Sequence, residues 1–250
     1  MKKVLITGGS QGIGYELARL FSMDGYEVYL CARNQEKLAA AEAQLCDKAG
    51  TDSSLNIHTL SIDLCEPCAA ATLYAWSGPV DVLINNAGMG TAGRSWEINN
   101  SLDASLLRLN VEALVFLCKQ YLPAMIAAHA GTIINIGSTA AFQPGPYAST
   151  YYASKAFVVN YSLALHEEAA PYGVSVCCYC PGPVKTSFYE KEGVPATVGA
   201  ISAASAAKHL YDANWKKALI VPGIGNHLMR LVPSGLRMKV VGNMKKKIIR

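Results

Sequence analysis

Short apolar runs take turns with helical stretches of about ten to fifteen residues along this chain, and that alternation constrains the fold more than any other feature. Val4 to Thr7 is an apolar strand that runs into ThrGlyGlySerGlnGlyIleGly at 7–14, and a helix follows to about Met23. Glu27 to Cys31 is a second strand, and Asn34 can cap an Ala-rich helix from Gln35 to about Lys48. Ile57 to Ile62 reads as a strand, Glu66 to Trp76 as a helix and Val80 to Asn85 as a strand. Strands separated in this way belong to βαβ units, so we expect an α/β fold with a parallel sheet covered on both faces.

The second half continues the pattern. Residues 88–100 are rich in Gly, Asn and Ser and read as a loop. A long helical region from Leu102 to about His129 carries apolar residues at Leu106, Leu109, Ala113, Leu117 and Tyr121, and Pro123 is expected to kink or break it. A strand at 132–137 delivers Ser138, a helix runs from Tyr152 to about Ala170, and a strand at 174–180 ends at ProGlyPro. A short helix at 202–210 and a strand at 218–221 follow. No linker or internal repeat divides the chain, so we expect one domain over 1–250, with a flap at about 183–205 and an extension at about 226–250.

The sequence is 51% hydrophobic and 16% charged, which permits a large core and argues against disorder. The formal net charge is only +4, and the clearest basic cluster is Lys245, Lys246, Lys247 and Arg250, so nucleic acid is not an expected partner. The apolar run after Lys2 and Lys3 stops at Gly8, which is too short for an export signal, and a cytoplasmic location is expected. Most of the eight cysteines fall in apolar strand or helix patterns and read as small buried hydrophobes. Cys65 and Cys68 form one CxxC with no second ligand pair nearby, so no metal is expected.

Gly8, Gly12 and Gly14 lie between a strand and a helix. Missing Cβ atoms let backbone approach a pyrophosphate, and the helix N-terminus offers unpaired N–H groups. No GlyLysSer or GlyLysThr follows, which disfavours a triphosphatase loop. NAD sites place an acid about twenty residues beyond the glycines, at the end of the second strand. Arg33 stands in that region instead, and a guanidinium can hold a 2′-phosphate. NADP(H) is therefore favoured, with NAD(H) as the alternative. Asp63, ending the third strand, can accept from an adenine amino group or cap the next turn. Asn85, Asn86, Ala87 and Gly88 close the fourth strand beside the first. Their small side chains allow a cofactor close, and the two amides call for polar partners.

Tyr151 and Lys155 are four residues apart at the start of a helix, hence on one face. A neighbouring ammonium favours phenolate and draws the tyrosine toward general acid–base work at neutral pH. Ser138 can hydrogen-bond the same substrate oxygen. Tyr147 and Tyr152 are rival hydroxyls, but neither has a lysine four residues on.

ThrGlyGlySerGlnGlyIleGly at 7–14, AsnAsnAlaGly at 85–88, Ser138, Tyr151 with Lys155, and ProGlyPro at 181–183 together resemble the short-chain dehydrogenase/reductase family. The likeness covers nearly the whole chain in order. It implies a Rossmann-like doubly wound sheet of seven strands in the order 3-2-1-4-5-6-7, and NAD(P)-dependent chemistry between alcohols and carbonyls. It also implies a catalytic set of Ser138, Tyr151 and Lys155 with Asn110, which interrupts helix geometry and anchors a water linked to the lysine. Cofactor contacts are implied for Gly8, Ser10, Gln11, Gly12, Ile13, Gly14, Asp63, Leu64, Asn86, Ala87 and Gly88. Tyr151, Lys155, Pro181, Gly182, Val184 and Thr186 complete that set. Gln11 departs from the pattern, since many NADP-preferring members carry Arg or Lys there, so the NADP(H) reading rests on Arg33.

Residues 31–38 and the tail resemble the branch of 3-ketoacyl reductases and 17β-hydroxysteroid dehydrogenases. We expect an apolar carbonyl or alcohol substrate, in a pocket formed by Phe188, Tyr189, the loop from Met89 to Trp96, and Ile224, His227 and Leu228. The resemblance also implies a homodimer or homotetramer built on the helices near 102–129 and 152–170. The basic tail is expected to pack on the protein or face solvent, with peripheral membrane contact the less favoured alternative. A dinucleotide-binding regulator or scaffold is the non-enzymatic alternative, and such a protein would have no need of the set Asn110, Ser138, Tyr151 and Lys155.

Overall fold

The computed structural model describes residues 1–48, 56–186, 200–223, 225–226 and 232–246. Strands β1 (Lys3–Thr7), β2 (Glu27–Ala32), β3 (Ile57–Ser61), β4 (Val82–Asn85), β5 (Gly131–Ile136) and β6 (Val174–Tyr179) are joined by helical crossovers. Two short strands, β7 (Val184–Lys185) and β8 (Ile201–Ser202), precede β9 (Leu219–Ile220). The main sheet has seven strands in the order β3-β2-β1-β4-β5-β6-β9, and each neighbouring pair is parallel. This is the expected order. Its seventh strand is ninth in the chain because β7 and β8 pair only with each other.

Alternation along each strand feeds two cores. Val4 and Ile6 of β1 join Leu17, Phe21, Leu30 and Ile84 on one face, packed by α1 (Gly12–Met23) and α2 (Gln35–Lys48). Leu5 joins Leu83, Leu117, Tyr121 and Ile133 on the other. Helices α3 (Ala69–Ser77), α4 (Asn100–Leu107), α5 (Leu114–Ala127) and α6 (Ser149–Ala169) follow in order. Helix α7 (Ala203–Tyr211) and helix α8 (Ser234–Lys246) lie further along the chain. Central strands are apolar on both faces because helices cover both. Among the described residues, no helix is long and apolar enough to cross a membrane.

Some details differ from the sequence reading. Pro123 does not break its helix: α5 runs through it, with Pro123 on the exposed side. There the carbonyl left without a proline N–H can turn to water. The long helical region is interrupted at Asn110, as the family resemblance implied, by a π-helical turn over Arg108–Ala113 between α4 and α5. The third helix starts at Ala69 rather than Glu66, because residues 63–68 form turns tied by Glu66 N–H to Asp63 O (3.2 Å) and Ala69 N–H to Glu66 O (3.1 Å). Five cysteines (31, 118, 177, 178 and 180) are buried, and burial pushes the Cys31 thiol up to about 12. Phe188, Tyr189, Ile224, His227 and Leu228, assigned to the substrate pocket, lie outside the described residues, as do Lys247 and Arg250 of the basic cluster.

Candidate active site

The site lies along the carboxyl ends of β1, β4, β5 and β6. Gly8 leaves β1 with φ +66° and Gly12 begins α1 with φ +61°, conformations in which a side chain is strained. A Cβ on Gly14 would lie 2.5 Å from Gly8 O, so helix and turn pack backbone to backbone. No side chain caps α1 at Gln11, and the first N–H groups of that helix face the turn unclaimed by a capping group. Glycines that admit a ligand and a helix N-terminus that attracts an anion together fit a dinucleotide pyrophosphate.

The turn is locked to the end of β4 through Thr7. Its Oγ1 accepts the N–H groups of Asn86 and Ala87, each at 3.0 Å. Asn86 Nδ2 returns two bonds, to Thr7 O (2.9 Å) and Gly8 O (3.1 Å). Asn85 points the other way and donates to Asn135 Oδ1 at 2.8 Å in the core. Both amide nitrogens therefore have partners, while Asn85 Oδ1 is buried without one among the described residues. Thr7 was not singled out in the sequence, although a hydroxyl ending an otherwise apolar strand was the available signal.

Arg33 and Asp63 meet at the ends of β2 and β3, with Nη1 3.9 Å from Oδ2 and Arg33 77% exposed. So open a pair contributes little to stability, and the guanidinium is available to a ligand. Asp63 Oδ1 also accepts from Cys65 N–H (2.9 Å), so the carboxylate shapes its own turn. Leu64 follows within that turn. Lys37, on the first turn of α2, lines a surface depression of about 280 Å³ together with Ser10 and Gln11. It supplies a cation on the side where Gln11 has none, and sequence spacing gave no hint of it.

Ser138 follows β5 in extended conformation and accepts Ala140 N–H at 3.1 Å. Among the described residues no acceptor takes its hydroxyl hydrogen, which leaves that hydrogen for a ligand. Helix α6 starts at Ser149, not Tyr152, so Tyr151 and Lys155 are both inside it and one turn apart. Lys155 is 7% exposed, and its Nζ donates to Ile136 O at 2.9 Å. Burial holds this ammonium below the usual lysine range. It lies 6.0 Å from the centre of the Tyr151 ring. A Cβ on Gly88 would lie 3.6 Å from Nζ and 3.3 Å from Asn110 Oδ1, so AsnAsnAlaGly passes directly over the lysine.

Asn110 occupies the π turn and is 2% exposed. Its Oδ1 accepts Met89 N–H (2.9 Å), while Nδ2 donates to Met89 O (2.8 Å) and Ser154 Oγ (3.1 Å). Ser154, another residue missed from sequence, donates in turn to Tyr151 O at 2.7 Å. The extra residue of the π turn thus aims one amide at both the glycine loop and α6. Thr139 N–H donates to Pro181 O (2.9 Å), which ties ProGlyPro to the serine loop. Gly182 packs against Asn226 (3.1 Å from an added Cβ), Val184 lies in β7, and Thr186 Cγ2 would lie 3.2 Å from a Cβ added to Gly12. Thr186 thus borders the glycine turn and Gly88 lies over Lys155, while Ser138 follows β5 at the same carboxyl edge of the sheet.

The sequence matches the model of the short chain dehydrogenase family over residues 2–194. It is 30% identical over 187 residues to a 3-oxoacyl-(acyl-carrier-protein) reductase FabG of Chlamydia muridarum, covering 75% of each protein. It is 33% identical over 198 residues to a 3-ketodihydrosphingosine reductase of Bacteroides thetaiotaomicron, covering 78% of this chain and 69% of the relative. A short-chain dehydrogenase from Sphingobium yanoikuyae in complex with NADPH superposes with a TM-score of 0.84 at 28% identity, over 97% of this chain and 96% of the other. With the motifs, the sheet order and these likenesses in agreement, the chain belongs to the short-chain dehydrogenase/reductase family, whose members are oxidoreductases working between carbonyl and alcohol.

Proposed function

We propose that this protein is an NADP(H)-dependent reductase of a ketone carried on an apolar chain, of 3-oxoacyl or steroid-like type. The observation that carries the reading is the buried ammonium of Lys155, one turn from Tyr151 and under Gly88, with the hydrogen of Ser138 unclaimed among the described residues. The cofactor would be held by residues 8–14, by Ala87 and Gly88, by Lys155 and by the 181–186 segment, and it supplies the hydride. Ser138 donates a hydrogen bond to the substrate oxygen and fixes it. Tyr151 gives that oxygen its proton, and the field of Lys155 favours the phenolate left behind. Asn110 holds Met89 and Ser154 so that the loop and helix bearing these groups keep their spacing.

For the cofactor, Arg33 and Lys37 offer positive charge where a 2′-phosphate would sit, in keeping with the NADPH complex among the structural relatives. The relatives named for 3-oxoacyl and ketosphingoid substrates support a ketone near one end of an apolar chain. Phe116 on α5 and Phe157 on α6 remain exposed (43% and 41%), as does Leu107 at the end of α4, and we assign these helices to contact with a second copy. Following absorbance at 340 nm with NADPH or NADH and ethyl acetoacetate, a steroid ketone or a diketone tests the reading. Faster turnover with NADPH is expected, and Arg33→Ala should raise the KM for NADPH by about 10- to 100-fold, the loss of one or two charge-assisted bonds. An unchanged ratio of NADPH to NADH would remove the cofactor assignment.

A further inference from the structure

Helix α8 lies across the segment that links Ser138 to Tyr151. Arg237 Nη1 donates to Gln143 Oε1 at 3.3 Å. An added Cβ on Gly242 would touch Pro146 at 3.4 Å, and Lys245 Nζ stands 5.2 Å above the Tyr152 ring. Tyr152 in turn meets the Tyr151 ring edge-on at 5.9 Å. Arg237 and Lys245 are eight residues apart, hence on one helix face and about 12 Å from each other. A wall bearing two cations therefore borders the two stretches that carry the serine and the tyrosine.

Arg237 is the unusual member. It is only 8% exposed, its Nε is buried without a hydrogen-bond partner, and among the described residues no carboxylate lies within ion-pair distance. Among the described residues its side chain bonds to a neutral amide, that of Gln143. A guanidinium withdrawn from water without a counter-charge is costly, and it presents donors suited to a phosphate or carboxylate. Packing alone would be served better by an apolar residue.

We infer that Arg237 is a specificity-determining residue that receives an anionic group, phosphate or carboxylate, carried by the ketone substrate away from its reacting carbon. The inference rests on the reductase reading above. The anion is the counter-charge of Arg237, with Lys245 adding field from two turns away. The carbonyl meanwhile reaches Ser138 and Tyr151, the residues at the two ends of the bordered segment. A neutral ketone fills only the catalytic end.

Steady-state kinetics at saturating NADPH, with three probes sharing one reacting group, test this. Ethyl acetoacetate is neutral, acetoacetyl-coenzyme A carries phosphates, and a 3-oxo diacid monomethyl ester ends in a carboxylate. In the wild type at least one anionic probe should surpass the neutral one in kcat/KM. Arg237→Met should shrink that advantage by about 10- to 100-fold, mainly through KM, and Arg237→Lys should restore part of it. The probe that responds identifies the anion. Where the coenzyme A thioester is the probe that responds, free coenzyme A, which has no ketone, should compete with ethyl acetoacetate in the wild type and about 10-fold more weakly in Arg237→Met. An equal fall for all three probes would reduce Arg237 to a packing residue, and no change in any would remove it from the site. A wild type that oxidises NADPH with none of the probes would sink the reductase reading itself.

Discussion

Around the glycine turn, backbone holds backbone: Gly8 and Gly14 touch through main-chain atoms, and Thr7 and Asn86 bond to N–H and C=O groups. Beyond Ser138 the arrangement is different. There Gln143 and Tyr152 meet Arg237 and Lys245, two long side chains contributed by a distant helix. The first region presents groups that every dinucleotide shares, so its geometry tolerates little change. The second presents side chains that lie outside the sheet and can vary without disturbing it. Cofactor binding and substrate choice should therefore respond separately to mutation.

Gly14→Ala should break the first region with the largest effect. Its new Cβ meets Gly8 O at 2.5 Å and Asn86 Nδ2 at 2.6 Å, and neither can retreat without opening the turn. We expect NADPH affinity to fall by about 100-fold and Tm by about 2–10 °C, the range for overpacking a site of this size. Fluorescence titration and thermal melts would check both. A binding constant within a factor of about two of wild type would mean that the turn is more pliant than its contacts imply.

Lys155→Met should have a smaller effect on stability, and of opposite sign. The lysine is a buried charge with a lowered pKa, so the unfolded chain holds more protons than the folded one between that value and 10.5. Stability of the wild type therefore rises with pH across this window. The methionine variant, free of that cost, should melt about 2 °C higher at pH 7, and the gap should close as pH approaches 10.5. Its reductase activity should nonetheless fall by about 100-fold or more. Such a pattern would mark Lys155 as kept for chemistry against stability, and a lower Tm at pH 7 would contradict it.

The first region was legible in the sequence because its determinants are neighbours: strand, glycines and helix follow one another within a dozen residues. The pair Tyr151–Lys155 was legible for the same reason. Asn110 was less so, since a π turn differs from an α turn by one residue and leaves the apolar spacing of residues 102–129 almost intact. On spacing alone it was a polar residue inside a helix, and only the resemblance to a family gave it a role. Pro123 misled because the rule that proline breaks helices assumes a carbonyl with no access to water. The contact of Arg237 with Gln143 spans 94 positions, and nothing local to either residue announces it. Long-range side-chain contacts are what one sequence hides, and they are also what shape the substrate end.

The account depends most on Tyr151 as the proton donor, set apart from cofactor binding. Tyr151→Phe removes one hydroxyl and keeps the ring that packs on Tyr152. Measured on one preparation, kcat for ketone reduction should fall by about a thousandfold while the dissociation constant for NADPH stays within a factor of about two. A phenylalanine variant that retains full turnover would contradict the assignment and return the search to Tyr147 and Tyr152.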